Sequence, residues 1–348
     1  MTSLTPSKSI GDLASFKRKP VVFSQDSLVT FEPLLVDSRL PVVARPSSRG
    51  VNLASWIANN RGVIDEHLMR VGGVLFSGFN ISDAASFEQL IKALSGELLQ
   101  YSYRSTPRTA VSGRIYTSTE YPDYQTIPLH NENAYTLSWP MKIWFLCLQA
   151  AAQGGETPVC DSRRVYRRIH PDIRRRFEEK KVMYVRNYGA TLDLPWQTVF
   201  QTEDRGEVET YCRQAGIEFE WKDGEGLRTR QVCQAAASHP KTGEMIWFNQ
   251  AHLFHLSNLD AEVRESLLET FEREDLPRNA YYGDGSEIED SALQEIREAY
   301  RQEAVIFPWR SGDVMLLDNM LAGHGRRPFT GPRKVVVGMA ERFDGIAR

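Results

Sequence analysis

The chain is poor in cysteine. Its four cysteines (Cys147, Cys160, Cys212 and Cys233) are widely spaced and form no CxxC pair. That spacing excludes a disulfide framework and a thiolate zinc site, and it predicts reduced thiols in a cytoplasmic protein. Long apolar runs are missing as well. No stretch of eighteen apolar residues occurs, and the first residues show neither a leader-like apolar core nor a small-residue cleavage site. The sequence therefore predicts no membrane span and no secretion signal. Charge of one sign is not in excess either: 42 Lys and Arg stand against 45 Asp and Glu, for a net charge of −3. No basic stripe for nucleic acid and no basic amphipathic helix for a membrane surface can be drawn. Repeats and low-complexity linkers are absent. What is present is ordinary globular composition, 41% hydrophobic and 25% charged, over 348 residues, enough to build a real core.

Residues 1–48 are rich in Ser, Pro and Lys, and read as an irregular N-terminal arm. Helical spacing follows over 52–69, with Leu53, Trp56, Ile57, Ile64 and Leu68 on one side. Gly72-Gly73 ends it, and Val74-Leu75-Phe76 reads as a buried strand. A second amphipathic helix over 82–99 is opened by Ser82 or Asp83 as cap. The apolar run 141–151 is too short to span a membrane and predicts a buried strand. Helices are expected at 164–181, 203–215, 260–273 and 287–303, with strand-like pieces at 182–185, 219–221 and 245–248. Strands return at 304–309, 313–317 and 334–342. The expectation is a mixed α+β protein whose body is 49–348, with strands early and late bracketing a helix-rich insertion at about 164–303.

The stretch TIPLHNENAYTLSWPMKIWFLCLQAAAQGGETPVCDSR (126–163) carries the chemistry. His130 and Glu132 are two apart, so on a strand both side chains would reach one metal from the same face. A third ligand must come from elsewhere, and His324 lies near a late strand pair. Two imidazoles and one carboxylate are the donor set of non-haem Fe(II) oxygenases. Such a pair arises by chance in a chain of this composition, and the sequence holds a second one, His170-Pro171-Asp172. There Pro171 suits a first helical position and Asp172 a first helical turn, so His170 reads as a surface or capping residue. His252 and His255 at i, i+3 would share a helical face. Their aromatic surroundings favour packing or pocket lining over zinc.

Fe²⁺ with two neutral histidines and one carboxylate keeps a charge of +1 and open positions. A 2-oxo acid chelating that metal would leave the distal carboxylate of 2-oxoglutarate as a buried anion in need of a partner. Arg333 offers a bidentate fork and Thr157 a hydroxyl. The plainer readings are a solvated arginine in a basic turn and a strand-start threonine.

The pieces IPLHNENAYTLSWP, QGGETPVCDSR, WFNQAHLFH and DNMLAGHGRRPFTGPRKVVV together resemble the taurine/2-oxoglutarate dioxygenase superfamily (TauD-like). The likeness runs from about residue 72 to 341, and is closest to the SyrP-like branch found with peptide-synthetase pathways. The resemblance implies a double-stranded β-helix, a jelly roll of the cupin kind, flanked by helices. It places His130, Glu132 and His324 on the iron ligands, Thr157 and Arg333 on the groups that hold 2-oxoglutarate, and it implies O2 as the other cosubstrate. The nine-residue spacing from His324 to Arg333 is shorter than in many relatives, so Arg327 and Arg342 compete for that role. Glu132 stands where many relatives have Asp, and its presence argues against a halogenase.

The resemblance further implies hydroxylation of an unactivated C–H bond in an amino acid or carrier-tethered amino-acyl unit, with release of succinate and CO2. Desaturation, epimerisation and cyclisation share that chemistry, and a non-catalytic cupin-like binding protein is the reading from a different class. Candidate substrate contacts are Arg104 and its neighbour Arg108, Asn131, Asn133, Asn249 and Asn319. Tyr281-Tyr282 reads as aromatic packing or a lid. The Arg-rich segments 163–176 and 326–334 read as solvated charge or as docking surfaces for an acidic carrier. Nothing in the sequence sets an oligomeric state.

Overall fold

The structure, a computed structural model, describes residues 28–35, 38–100, 103, 108–118, 121–189, 194–224 and 226–345. An eight-stranded sheet forms its frame, in the order Val29–Leu35, Ser38–Pro46, Gly73–Phe76, Val314–Asp318, Ser138–Gln149, Lys334–Asp344, Ile115–Thr117 and Ala110–Ser112. All neighbours in it are antiparallel except Ser38–Pro46 with Gly73–Phe76. The central strands are buried on both faces, and the period-two alternation sorts their side chains. Trp144, Leu146, Val314, Leu316 and Val336 pack under the helices Leu53–Asn59, Arg61–Val71 and Ala84–Ser95. Ile143, Phe145, Cys147, Met315, Leu317, Val335 and Val337 face the other way, against Val159 and Ala322.

Those last two residues belong to a three-stranded sheet, Ile127–His130, Ala322–Arg326 and Val159–Asp161. The site lies between this small sheet and the large one. A two-stranded ribbon, Gln153–Gly154 with Phe329–Thr330, prolongs the small sheet's side of the molecule.

Local chemistry sets the element ends. The Asp83 carboxylate accepts the Ser86 N–H at 2.8 Å and caps its helix as expected. The single helix expected over 52–69 is two helices, broken at Asn60. There the side-chain amide donates to the Trp56 carbonyl at 2.8 Å and takes the place of the next helical N–H.

Three expectations need correction. The described part of residues 1–48 is not an irregular arm. Val29–Leu35 and Ser38–Pro46 form a hairpin on the edge of the large sheet, because Val42, Val43 and Ala44 find partners in Val74, Leu75 and Phe76. Residues 1–27 lie outside the described residues. The helix-rich insertion also holds a four-stranded antiparallel sheet, Glu218–Trp221, Leu227–Cys233, Val182–Tyr188 and Arg278–Tyr282, so the pieces expected at 182–185 and 219–221 are not isolated strands but parts of one sheet. The segment 304–309 makes only one bridge, Val159 with Val305. Pro308 has no N–H to extend a ladder.

Candidate metal centre and anion pocket

Two histidines meet because two strands pair in register. His130 ends the strand Ile127–His130 and lies directly opposite His324 on the strand Ala322–Arg326. Opposed antiparallel residues hold their side chains side by side, and the two imidazole centroids are 4.6 Å apart. The glycines flanking His324 permit this approach. A Cβ on Gly325 would stand 2.6 Å from the Ile127 carbonyl oxygen.

Glu132 arrives differently from the sequence expectation. The strand stops at His130, so the rule placing i and i+2 on one face does not apply. Glu132 sits in the turn that follows, and its N–H donates to the Asn319 side-chain oxygen at 2.7 Å. Its carboxylate nevertheless reaches the histidines, with Oε2 at 3.7 Å from His324 Nε2. One ligating atom from each of His130, Glu132 and His324 lies within 4.8 Å of the others, a set able to hold a metal ion.

The protonation states suit a metal. His130 Nδ1 lies 2.8 Å from the Pro128 carbonyl oxygen and donates to it, which leaves Nε2 with a free lone pair. Burial, reinforced by the neighbouring His324, pulls the His130 imidazole down to about 4. Burial alone would raise the Glu132 carboxyl, but Arg108 and the two histidines outweigh it and hold the group well below the usual carboxylate range. The Arg108 guanidinium is the main opposing charge, 2.8 Å from Glu132 Oε2, with both side chains 5% exposed. At neutral pH the set is a carboxylate with a neutral imidazole beside it, so a divalent metal has no proton to displace from either.

A narrow cavity opens between the sheets beside this set, lined by His130, His324, Thr157, Phe145, Val335 and Arg333 among others. Arg333 is a half-buried cation, and among the described residues no carboxylate lies within ion-pair distance of it. Its Nε donates to the Gly155 carbonyl at 2.9 Å, and Nη1 lies 3.4 Å from the Ser118 hydroxyl. Burial draws its basicity down to about 10, so it stays protonated at neutral pH. Gly155 has φ +72°, and a Cβ there would press on the Arg333 side chain at 2.9 Å, so this glycine makes room for the arginine. The Thr157 hydroxyl accepts a bond from Trp309 Nε1 at 2.9 Å, which directs its own proton elsewhere. A half-buried guanidinium and a free hydroxyl proton beside a metal set make a pocket for an anion.

The rivals for Arg333 drop away. Arg327 and Arg342 are exposed, and Arg342 is bound to Asp344. Arg326 lines the same cavity, but its guanidinium is committed to the carbonyls of Tyr121, Pro122 and Gln125.

The substrate-contact expectations fare less well. Arg104 lies outside the described residues. Asn131, Asn249 and Asn319 are fully buried scaffold residues. Asn131 donates to the Ser162 hydroxyl and the Asn319 carbonyl, and Asn249 links the carbonyl of Ala235 to the N–H of Ala251. Amides of this kind satisfy backbone groups that no strand partner reaches. Asn133 alone of the four lines a surface, a cleft of about 790 Å³ shared with Tyr103, Trp139 and Gln231, and it adopts a left-handed φ of 56°. Arg108, weighed as a substrate contact, is the counter-ion of Glu132. Only its three-dimensional position reveals that.

His252 and His255 are not a zinc pair. His252 Nε2 bonds the Leu129 carbonyl at 3.0 Å and its ring stacks on Tyr300, while His255 Nδ1 bonds Ser257. His170 caps its helix, accepting the Asp172 N–H. Tyr282 packs edge-on against Phe177 and is no lid. In the segment 163–176, Arg163, Arg164, Arg168, Arg175 and Arg176 are all engaged by acidic side chains, which weakens the reading of that segment as a free docking surface.

The buried histidines set a pH dependence. Burial lowers His130 to about 4, His252 to about 3 and His255 to about 4, from the unperturbed 6.5. Between these values and 6.5 the unfolded chain binds protons that the folded chain refuses. Stability therefore rises with pH through this window and is lost as pH falls. The melting temperature of the metal-free protein should decline steadily from pH 6.5 to 4. A flat profile over that range would contradict neutral, buried imidazoles.

The model of the "Taurine catabolism dioxygenase TauD, TfdA family" matches residues 35–339. The dapdiamide synthesis protein DdaC of Enterobacter agglomerans is 45% identical over 278 residues, which are 80% of this chain and 84% of that protein. A clavaminate synthase-like protein of Arabidopsis thaliana is 30% identical over 319 residues, 86% of this chain and 93% of its own. Among solved structures, PvcB of Pseudomonas aeruginosa shares the fold with a TM-score of 0.53 at 14% identity, covering 92% of this chain and 93% of PvcB. Among the described residues no helix is long and apolar enough to cross a membrane.

Proposed function

This chain belongs to the TauD, TfdA family and is an Fe(II)- and 2-oxoglutarate-dependent dioxygenase; from that premise we propose that it oxidises an unactivated C–H bond of an amino acid or amino-acyl unit in natural-product biosynthesis. The bond is hydroxylated, and the unit is either free or tethered to a carrier protein. We read the eight-stranded and three-stranded sheets as the two walls of a double-stranded β-helix of the cupin kind. The packing of Val159 and Ala322 against one face of the large sheet supports that reading.

The observation that carries the functional reading is the pairing of the His130, Glu132 and His324 set with a half-buried Arg333 that has no acid partner among the described residues, in one cavity. His130 and His324 supply imidazole nitrogens and Glu132 a carboxylate, the donor set of a metal that keeps open positions. Iron bound there supplies the activation of O2, coupled to oxidative decarboxylation of 2-oxoglutarate to succinate and CO2.

The rest is the work of this chain's residues. Arg333 and Thr157 would hold the distal carboxylate of 2-oxoglutarate, the guanidinium as a charged donor and the hydroxyl as a neutral one. Phe145, Val335 and Val337 wall the cavity with apolar surface, which excludes water and strengthens each charge contact within it. The Pro128 carbonyl holds the His130 tautomer, so the ring presents its lone pair and not a proton. The cleft beginning at Asn133 is where we place substrate entry, one residue from Glu132. The name of the relative DdaC, a dapdiamide synthesis protein, supports a role in natural-product biosynthesis.

Anaerobic titration of the metal-free protein with Fe(II) and 2-oxoglutarate tests this reading. A weak visible metal-to-ligand charge-transfer band should appear only when both are present. No band in the wild type would sink the reading. Incubation with candidate amino acids and carrier-bound amino-acyl units then separates outcomes by mass. Hydroxylation adds one oxygen, whereas desaturation or cyclisation removes two hydrogens and epimerisation changes nothing.

A further inference from the structure

Asn319 lies in the turn between Val314–Asp318 of the large sheet and Ala322–Arg326 of the small one, five residues before His324. Its polar groups are all bound to the segment 131–141. The backbone N–H donates to the Met141 carbonyl at 2.8 Å, and the carbonyl accepts from Asn131 Nδ2 at 2.6 Å. In the side chain, Oδ1 accepts the Glu132 N–H at 2.7 Å. Nδ2 donates to the carbonyls of Glu132 and Pro140, both at 2.9 Å. Asn319 is fully buried, so water does not compete for these bonds.

The geometry has a clear sense. Glu132 lies beyond the end of its strand, where a partner strand would otherwise supply one acceptor and one donor. The Asn319 carboxamide supplies both, and so imitates a peptide group. It thereby ties the backbone of Glu132 to the chain segment that bears His324. The turn itself is held by Asp318, whose Oδ1 accepts the N–H groups of Met320 and Leu321 at 3.0 Å each. Its Oδ2 lies 3.2 Å from His239 Nε2. At the far end of the glutamate, Arg108 holds the carboxylate at 2.8 Å. A glutamate has one more rotatable bond than an aspartate, and its fixation at both ends removes that freedom before any metal arrives.

We propose that Asn319 is the positioning residue that sets the Glu132 carboxylate against the His324 imidazole, and thereby sets the metal affinity of the site. The inference rests on the reading of His130, Glu132 and His324 as metal ligands. Asn319 touches neither metal nor substrate and acts through the Glu132 backbone.

Co(II), followed by its visible absorption, is a suitable probe in the purified full chain. Asn319→Asp is nearly isosteric and keeps an acceptor for the Glu132 N–H. It replaces the amide donor by an oxygen facing two carbonyls. It should weaken Co(II) binding by about 10- to 100-fold, the usual effect of losing a group that orients a ligand. Asn319→Ser, which lacks the reach for both bonds, should weaken it at least as much. Asn279→Ala serves as control, because Asn279 is also buried and bonds the Leu256 N–H, not a backbone group of a ligand. That control should bind Co(II) within about twofold of wild type while losing thermal stability, since a buried bond is lost.

An Asn319→Asp protein that binds Co(II) like wild type would overturn the inference. So would an Asn279→Ala protein that loses as much affinity as Asn319→Asp. Absence of Co(II) binding in the wild type would instead overturn the metal-centre reading itself. Hydrogen exchange of the metal-free wild type gives an answer even where a variant fails to fold. The Glu132 amide should exchange as slowly as the amides of Ser138–Gln149, and rapid exchange would contradict the clamp.

Discussion

Glu132→Ala should abolish the Fe(II) and 2-oxoglutarate charge-transfer band and lower kcat/KM by at least about 10³-fold, equivalent to about 4 kcal/mol of lost transition-state stabilisation. A further effect should appear before any metal is added. Arg108 and Glu132 form a buried pair, each 5% exposed, and removing the carboxylate takes away an opposing charge 2.8 Å from the buried guanidinium. Breaking such a pair costs about 3–5 kcal/mol, so the metal-free variant should also melt at a clearly lower temperature than wild type. Arg108→Met tests the same pair from the other side. It leaves a buried carboxylate whose charge is no longer opposed by its strongest neighbour. The double variant should recover part of the stability lost in either single one, because both buried charges are then gone. Wild-type Fe(II) affinity in Glu132→Ala would remove the glutamate from the ligand set.

The second large effect concerns Arg333. Arg333→Ala should raise the concentration of 2-oxoglutarate needed for half-saturation by about 100-fold. That is the scale expected when one partner of a buried charge pair is truncated, at about 2–5 kcal/mol and 1.4 kcal/mol per tenfold. Arg333→Lys should fall between, since an ammonium keeps the charge and loses the planar fork. The metal-free protein gives the contrast. Arg333 has no acid partner among the described residues, so its removal should leave the melting temperature unchanged or raise it. A 2-oxo acid without the distal carboxylate should bind wild type weakly and gain little or nothing from the arginine. Equal affinity of Arg333→Ala and wild type for 2-oxoglutarate would show that the dianion binds elsewhere.

Much of the frame was legible in the chain. The continuous apolar runs in 141–151 and 334–342 mark strands whose two faces are both buried, and the Asp83 cap and Gly72 mark helix ends. The hairpin at 29–46 was not legible, because Pro33 and Pro41 interrupt its apolar residues and the partners Val74, Leu75 and Phe76 are distant in sequence. The inner sheet of the insertion was missed as a sheet because arginines at inward positions of Val182–Tyr188 and Leu227–Cys233 hide their buried face. There Arg186 is covered by the rings of Tyr103 and Tyr188, and Arg228 is held by Asp275 and Asn187.

By itself the sequence determined which residues can carry this chemistry: His130, Glu132, His324, Thr157 and Arg333 stand out by residue type and local motif. It also determined the central strands, because a short continuous apolar run is a local property of the chain. Which asparagines touch substrate was beyond it. The buried network of Asn131, Ser162 and Asn319 joins segments 31 and 188 residues apart, and no local pattern encodes that. The same holds for the counter-ion of Glu132, for the choice of Arg333 over its neighbours, and for the direction of Glu132 itself. Each depends on burial and on which distant backbone group is left without a partner. Those quantities exist only once the two sheets have closed on each other.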